Sequence, residues 1–257
     1  MSLTRLAVLS SLLLPASFAY AETTDETAPD IAARAPANDD AFTPALTHSS
    51  WQGRGAVTAT FNVNGASKIN TLDLNGEFHV FGPFRLVLRV DNVLGDSGGN
   101  ARPGIGAAVQ MLDERKHGVS GSAYLSYKAE GFTEGEGEIE GLVSFGKQLG
   151  AVHGTLNLAY GQDPEAVERD GEVALGLHIE PIRGLFTGVV GRFRDALGSD
   201  GDKGTGVLRD ALGGATATYV IGNVGLTAMA GFGGIETTGS NGMKGGAQAA
   251  FSVGAVF

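Results

Sequence analysis

The amino-acid sequence predicts an all-β chain: a transmembrane antiparallel up-and-down β-barrel of about twelve strands. Three observations carry this expectation. Apolar residues recur at every second position from Arg54 onward, the segments that show the alternation are long, and the connections between them alternate short and long. Alternation sustained over ten or more residues marks strands with one apolar face. Strands of ordinary soluble proteins are nearer five or six residues, whereas a tilted strand needs about 9–11 to cross hydrocarbon.

The chain opens MSLTRLAVLSSLLLPASFAYAE. Arg5 supplies a positive start, Leu6 to Leu14 an apolar run, and Ala19-Tyr20-Ala21 a small-residue cleavage site. Residues 1–21 are therefore expected to be a secretory signal peptide, its apolar run being too short to span a bilayer. Cleavage after Ala21 leaves a mature chain beginning at Glu22. No later stretch approaches the roughly 18 consecutive apolar residues of a membrane helix, so any membrane crossing is by strands. Residues 22–50, including ETTDETAPDIAARAPANDD, are rich in Ala, Thr, Pro, Asp and Glu without a sustained period. They are expected to form a disordered acidic periplasmic leader, a solvated tail, with a plug of the lumen or a periplasmic tether as the functional alternative. Residues 51–257 are assigned to the barrel.

Composition narrows the classes further. The net charge is −10 and no Lys/Arg cluster is present, which disfavours nucleic acid as a partner. The 41 glycines stand beside only 8 prolines and abundant apolar residues, which indicates tight turns. The absence of cysteine excludes disulfides and thiolate metal sites.

Twelve segments show the two-residue period: roughly 54–63, 68–81, 84–93, 103–113, 118–130, 137–146, 150–161, 171–180, 184–194, 207–221, 223–234 and 245–257. In the last, Ala247, Ala249, Phe251, Val253, Ala255 and Phe257 share one face; before it, Val224, Leu226, Ala228, Ala230 and Phe232 do the same. Gly82-Pro83, Arg115 to Gly118, Gly146 to Gly150, Glu180 to Gly184 and Gly222-Asn223 are short connections. Asp91 to Arg102, Glu130 to Gly137, Gly161 to Gly171, Asp195 to Gly206 and Gly234 to Gly246 are longer, and the hairpin at Asn64 to Ser67 alone breaks the rule. Membrane barrels put short turns on the periplasmic side and long loops outside, so an even strand count leaves both ends of the barrel periplasmic.

If Phe257 faces outward, alternation sets the facing of every strand. Outward aromatics then collect at strand ends: Phe78, Phe84, Phe145, Tyr219 and Phe257 at the lower rim, and Phe61, Tyr127, Tyr160, Phe193 and Phe232 at the upper. Such girdles suit the headgroup region on either side of an aliphatic band. Phe251 is the exception, nearer mid-strand.

The segment QAAFSVGAVF resembles the C-terminal β-signal of Gram-negative outer-membrane β-barrel proteins: Phe257 supplies the aromatic, with Val253 and Phe251 at alternate positions before it. Ala255 departs from the pattern, where a larger residue is common. The resemblance implies residence in the bacterial outer membrane and recognition by the outer-membrane assembly machinery. Membrane lipid and lipopolysaccharide are then the partners of the outer face.

On the inner face alternation places Asp73, Glu77, His79, Arg85, Arg89, Asp91, Lys128, Glu130, Glu138, Glu140, His153, Glu172, His178, Glu180, Arg192 and Arg194. Charge facing lipid at the midplane costs on the order of 2–4 kcal/mol, which explains the segregation. Pairing of these charges across the wall is the structural expectation. The functional one is a narrow porin-like channel for small polar or ionic solutes, modestly favouring cations. Its lumen and selectivity residues are expected to be Asp73, Glu77, Arg85, Arg89, Lys128, Glu138, Glu140, Arg192 and Arg194. Many inward residues are small, but twelve strands lie between the filled eight-stranded barrel and the open sixteen-stranded one, so partial occlusion is expected.

A non-conducting structural or adhesive barrel, binding a partner through its outer loops or leader, is the first alternative. A barrel lipase or protease is the second, and no catalytic residue is assigned. The HGTLN stretch at His153 lacks the serine partner that nucleophilic activation requires, and His79, His153 and His178 fall toward the lower rim, with His117 in a turn. Asp200 and Asp202 begin like a calcium loop, but Thr205 and Ala211 stand where an EF-hand needs Gly and Glu, so no metal or other cofactor is assigned. The doubled RDALG at Arg194–Gly198 and Arg209–Gly213 suggests a hairpin projecting beyond the membrane.

Overall fold

The computed structural model describes residues 46, 53–67, 69–93, 101–129, 137–164, 168–198, 207–237 and 239–257. The expected signal peptide, the leader apart from Leu46, Glu130, and the Asp200–Asp202 stretch lie outside the described residues.

Twelve strands follow one another: β1 (Gly55–Asn64), β2 (Ile69–Phe81), β3 (Phe84–Asp91), β4 (Arg102–Leu112), β5 (Ser120–Ala129), β6 (Gly137–Leu149), β7 (Val152–Gln162), β8 (Arg169–Ile182), β9 (Leu185–Gly198), β10 (Val207–Ile221), β11 (Val224–Thr237) and β12 (Lys244–Val256). Each pairs antiparallel with its neighbour in sequence, and β12 returns to β1 to close the barrel. The seam runs from Ala56 opposite Val256 to Asn64 opposite Gln248. Sequence and structure therefore agree on class, strand number and order.

At the seam the backbone of Phe257 both donates to Gly55 O (2.9 Å) and accepts from Gly55 N (2.9 Å). The Phe257 ring lies where a side chain on Gly55 would stand, since a Cβ there would fall 2.6 Å from the ring. Phe78 packs beside it, with ring centroids 6.1 Å apart.

Each short connection depends on a glycine with positive φ: Gly82, Gly118, Gly150, Gly184 and Gly222 all occupy the left-handed region that other L-residues avoid. Between β4 and β5 the sequence suggests a plain turn, and the structure has one turn of helix, α1 (Glu114–His117). Asp113 caps it by accepting from Arg115 N, Glu114 opens it, and Gly118 ends it in the left-handed conformation. The exceptional first hairpin is closed by Asn64, whose side-chain oxygen accepts from Ala66 N (3.0 Å) and Ser67 N (3.1 Å).

The outer ends of β8, β9 and β11 run further than periodicity suggests. At the β9–β10 hairpin the Arg-Asp of each RDALG copy pairs antiparallel, with Arg209 opposite Asp195 and Asp210 opposite Arg194, while the extension of β9 beyond them pairs with β8, Ala196 opposite Asp170 and Gly198 opposite Arg169. Arg209 Nε lies 3.0 Å from Asp195 and its Nη1 3.5 Å from Glu236 on β11. Opposed charges directly across a strand pair favour this register at the outer end of the hairpin.

The outward face is the apolar one. Leu74, Leu88, Ile105, Leu125, Leu158, Leu175, Val189 and Leu226 are all exposed. Of the girdle aromatics, Phe84, Tyr127, Tyr160, Phe193, Tyr219, Phe232 and Phe257 are exposed on the outside, as alternation requires. Phe61 is a correction to the upper ring: the seam register sets it directly opposite Phe251, so the two exposed rings stand at one level across the closure. The short β1 brought its residue 61 close to a strand end in the sequence without bringing it to the rim of the sheet.

An apolar wall with a polar interior makes a directional prediction. Replacing outward Leu175 by Arg should destabilise the barrel in lipid by about 2–4 kcal/mol in urea unfolding, whereas Arg at outward Leu197 near the outer end of β9 should cost less than about 1 kcal/mol.

Candidate functional site: the lumen

The inward side chains form two tiers. In the lower tier every strand contributes a buried residue: Ala56, Glu77, Arg85 and Ala108 from β1 to β4, Ser122, Ser144, Thr155 and Ala174 from β5 to β8, and Phe186, Thr218, Thr227 and Ser252 from β9 to β12. Small hydroxyls bond across neighbouring strands. Thr218 and Thr227 are 2.8 Å apart, Ser144 donates to Asn157 Oδ1 (2.8 Å), and Thr60 donates to Ser252 (3.1 Å). His178, fully buried, lies over Gly188 of β9 and reaches Thr216 of β10 at 3.0 Å. Its ring would collide with any Cβ at Gly188.

Glu77 and Arg85 belong to this lower tier. Arg85 donates from Nη2 to Gly53 O (2.8 Å) and interacts electrostatically with Glu77 and Tyr124. Buried polar groups need partners, and this cation ties the lumen floor to the chain just before β1.

The upper tier is a belt of charge on the inner face from β3 to β10. Arg89 on β3 forms a two-pronged contact with Glu140 on β6, Nη1 to Oε1 at 2.8 Å and Nη2 to Oε2 at 3.2 Å. The two strands are not neighbours, because β4 and β5 lie between them. The side chain crosses because Gly104 stands opposite Arg89 on β4, and a Cβ there would fall 2.8 Å from Arg89 Cγ. Asp91 lies 3.8 Å from Arg89 Nε, and Lys128 pairs with Glu138 at 2.9 Å. Further round, Arg194 bonds Asp170, Arg192 bonds Asp210, and Arg192 Nε is 3.8 Å from Glu172. Gly161 of β7 repeats the device of Gly104, since a Cβ on it would strike Glu138 and crowd Asp170.

The structure brings together Arg89, Lys128, Glu138, Glu140, Arg192 and Arg194 among the expected lumen residues, sets Asp73 at the edge of this group, where it interacts electrostatically with Asp91, and places Glu77 and Arg85 in the lower tier. Asp73 accepts from Asn62 Nδ2 (2.7 Å) and from Asn92 N (2.8 Å), and so holds the chain leaving β3. At the lower rim Glu180 accepts from Gly184 N (2.7 Å) and His79 Nε2 meets Gly82 O (3.0 Å), so both brace tight turns.

Two members of the belt escape the sequence reading: Asp170, placed outside its strand, and Asp210. Both sit at inward positions of β8 and β10; the alternation within β10 is sufficient to find Asp210, whereas Asp170 lies beyond the apolar period that marks β8. With them the belt holds the cations Arg89, Lys128, Arg192 and Arg194 against the carboxylates Asp91, Glu138, Glu140, Asp170, Glu172 and Asp210. Among the described residues the belt is therefore net negative. Across the lumen the inward positions of β1, β11 and β12 include the neutral Thr60, Asn62, Gly231, Gly233 and Gln248.

The strap across β4 and β5 can be tested by a double-mutant cycle. Arg89→Met with Glu140→Met should show a coupling of about 1–2 kcal/mol by unfolding in detergent, and the coupling should fall toward zero when Gly104→Val blocks the crossing.

No protein-family model matches the sequence, and no curated protein matches it. Solved structures do resemble it. The NanC porin aligns with a TM-score of 0.50 at 8% identity, over 79% of this chain and 98% of the porin's. An outer-membrane channel from Pseudomonas putida F1 aligns with a TM-score of 0.51 at 11% identity, over 81% of this chain and 97% of the channel's. At these identities the likeness concerns the fold: the chain is a closed, twelve-stranded barrel of the outer-membrane type, with its apolar face turned outward.

Proposed function

We propose that the protein is a narrow channel of the bacterial outer membrane for small polar or ionic solutes, with a preference for cations. The observation that carries this reading is the charged belt: paired cations outnumbered by carboxylates on one side of the lumen, facing neutral residues on the other. Fixed carboxylates in a confined, low-dielectric passage raise the local concentration of cations. The two structural neighbours are described as a porin and as an outer-membrane channel, which agrees with the reading. Arg89, Lys128, Glu138, Glu140, Arg192 and Arg194 are the selectivity set, joined by Asp170, Glu172 and Asp210; Asp73, Glu77 and Arg85 brace the wall. Phe251, Val253 and Phe257 serve as the signal for the assembly machinery, and the girdles meet lipid and lipopolysaccharide.

A second reading, a non-conducting structural barrel, is favoured by the lower tier, where all twelve strands bury an inward residue. Planar-bilayer recording separates the two. The channel reading expects small, cation-selective steps. Arg192→Gln with Arg194→Gln should raise the cation-to-anion permeability ratio severalfold, and Glu138→Gln with Asp210→Asn should lower it. Silence from a folded, heat-modifiable barrel would establish the structural reading instead.

A further inference from the structure

Leu46 precedes the barrel by several residues and belongs to the segment expected to be a solvated tail. It instead packs against Val190, Leu212, Met229 and Ala250. These four stand on β9, β10, β11 and β12, at positions that alternation turns inward, and are 3%, 8%, 6% and 5% exposed. Such a patch is out of character for this lumen, whose other buried side chains are mostly hydroxyls, amides and charges. Apolar surface on the wall of a wetted cavity is unfavourable unless something apolar covers it.

The seat continues onto β8 at Gly176, which stands directly opposite Val190 in the β8–β9 pairing. A Cβ on Gly176 would collide with Leu46 Cδ1, so the leucine occupies the space that the glycine leaves. The seat thus has an apolar back on four strands and a floor with its side chain deleted. Chain length permits the placement. Gly53 is held at the lower tier by Arg85, and the seven residues back to Leu46 span about 25 Å at most. Gly176 is six residues up β8 from Ile182 at the lower rim, about 20 Å along the strand.

We propose that Leu46 is an internal anchor of the chain ahead of β1, with the pocket of Val190, Leu212, Met229, Ala250 and Gly176 as its docking site. The occupant is the protein's own leucine. This assignment does not depend on whether the lumen conducts.

The chain contains no cysteine, so an introduced thiol is the sole one. In the full-length, detergent-folded protein Leu46→Cys should react with a membrane-impermeant maleimide at least tenfold more slowly than Arg183→Cys in the exposed β8–β9 turn, and equally fast in urea. Gly176→Leu, which fills the seat, should bring Leu46→Cys to the rate of Arg183→Cys while the barrel keeps its heat-modifiable mobility. Should Gly176→Leu fail to fold, oxidation of Leu46→Cys/Met229→Cys, which keeps the glycine, provides the second measure: an intramolecular disulfide is expected in the folded protein. Equal labelling of Leu46→Cys and Arg183→Cys in the folded barrel, or absence of that disulfide, would overturn the anchor. A barrel silent in bilayers would leave it standing.

Discussion

In hydrocarbon no water is present to satisfy a peptide group, so every N–H and C=O at that depth must find its partner within the protein. The rest of this structure follows from that constraint. A single sheet can meet it only by closing, and here closure is the pairing of β1 with β12 along their lengths. The glycine at position 55 and the ring of Phe257 complete the closure on the outer side, where one residue's missing side chain makes room for another's. Once the wall is sealed, its two faces have opposite solvents, and the two-residue period of the sequence is the record of that difference.

Closure also sets how the interior is filled. A sheet wrapped around itself brings inward side chains into a volume that strand number alone does not determine. In the lower tier the volume is taken up by short hydroxyl side chains, two buried histidines, an arginine and a phenylalanine. In the upper tier long charged side chains lie along the wall, and glycines on the strands they cross give them passage. Gly104 and Gly161 thus work as absences, and the ion pairs over them depend on positions that contribute no side-chain atoms.

What could be read from the sequence was whatever depends on period. Strand number, order, facing and the tight turns come from alternation and from glycine at the points of reversal. Boundaries are less legible where polar rather than apolar residues extend a strand, as at Arg169 and Asp170 of β8, which pair with Gly198 and Ala196 beyond the reach of the apolar period. The pairing of Arg89 with Glu140 could not be read, because it joins strands that are not neighbours and depends on side-chain length and on a gap at Gly104. Leu46 was equally hidden: nothing in the composition of the leader distinguishes one leucine from its surroundings, and its seat is assembled from five strands.

The doubled Arg-Asp at 194–195 and 209–210 has one more consequence. As observed, each arginine faces an aspartate. Slide one strand past the other by a single residue and Arg209 confronts Arg194; slide it the other way and Asp210 confronts Asp195. Misalignment in either direction meets like charge, at the hairpin whose connection is among the longest and whose turn therefore does least to set the alignment. The tandem dipeptide is thus a mark of alignment written into the two strands, penalising the two nearest misregisters of this pair.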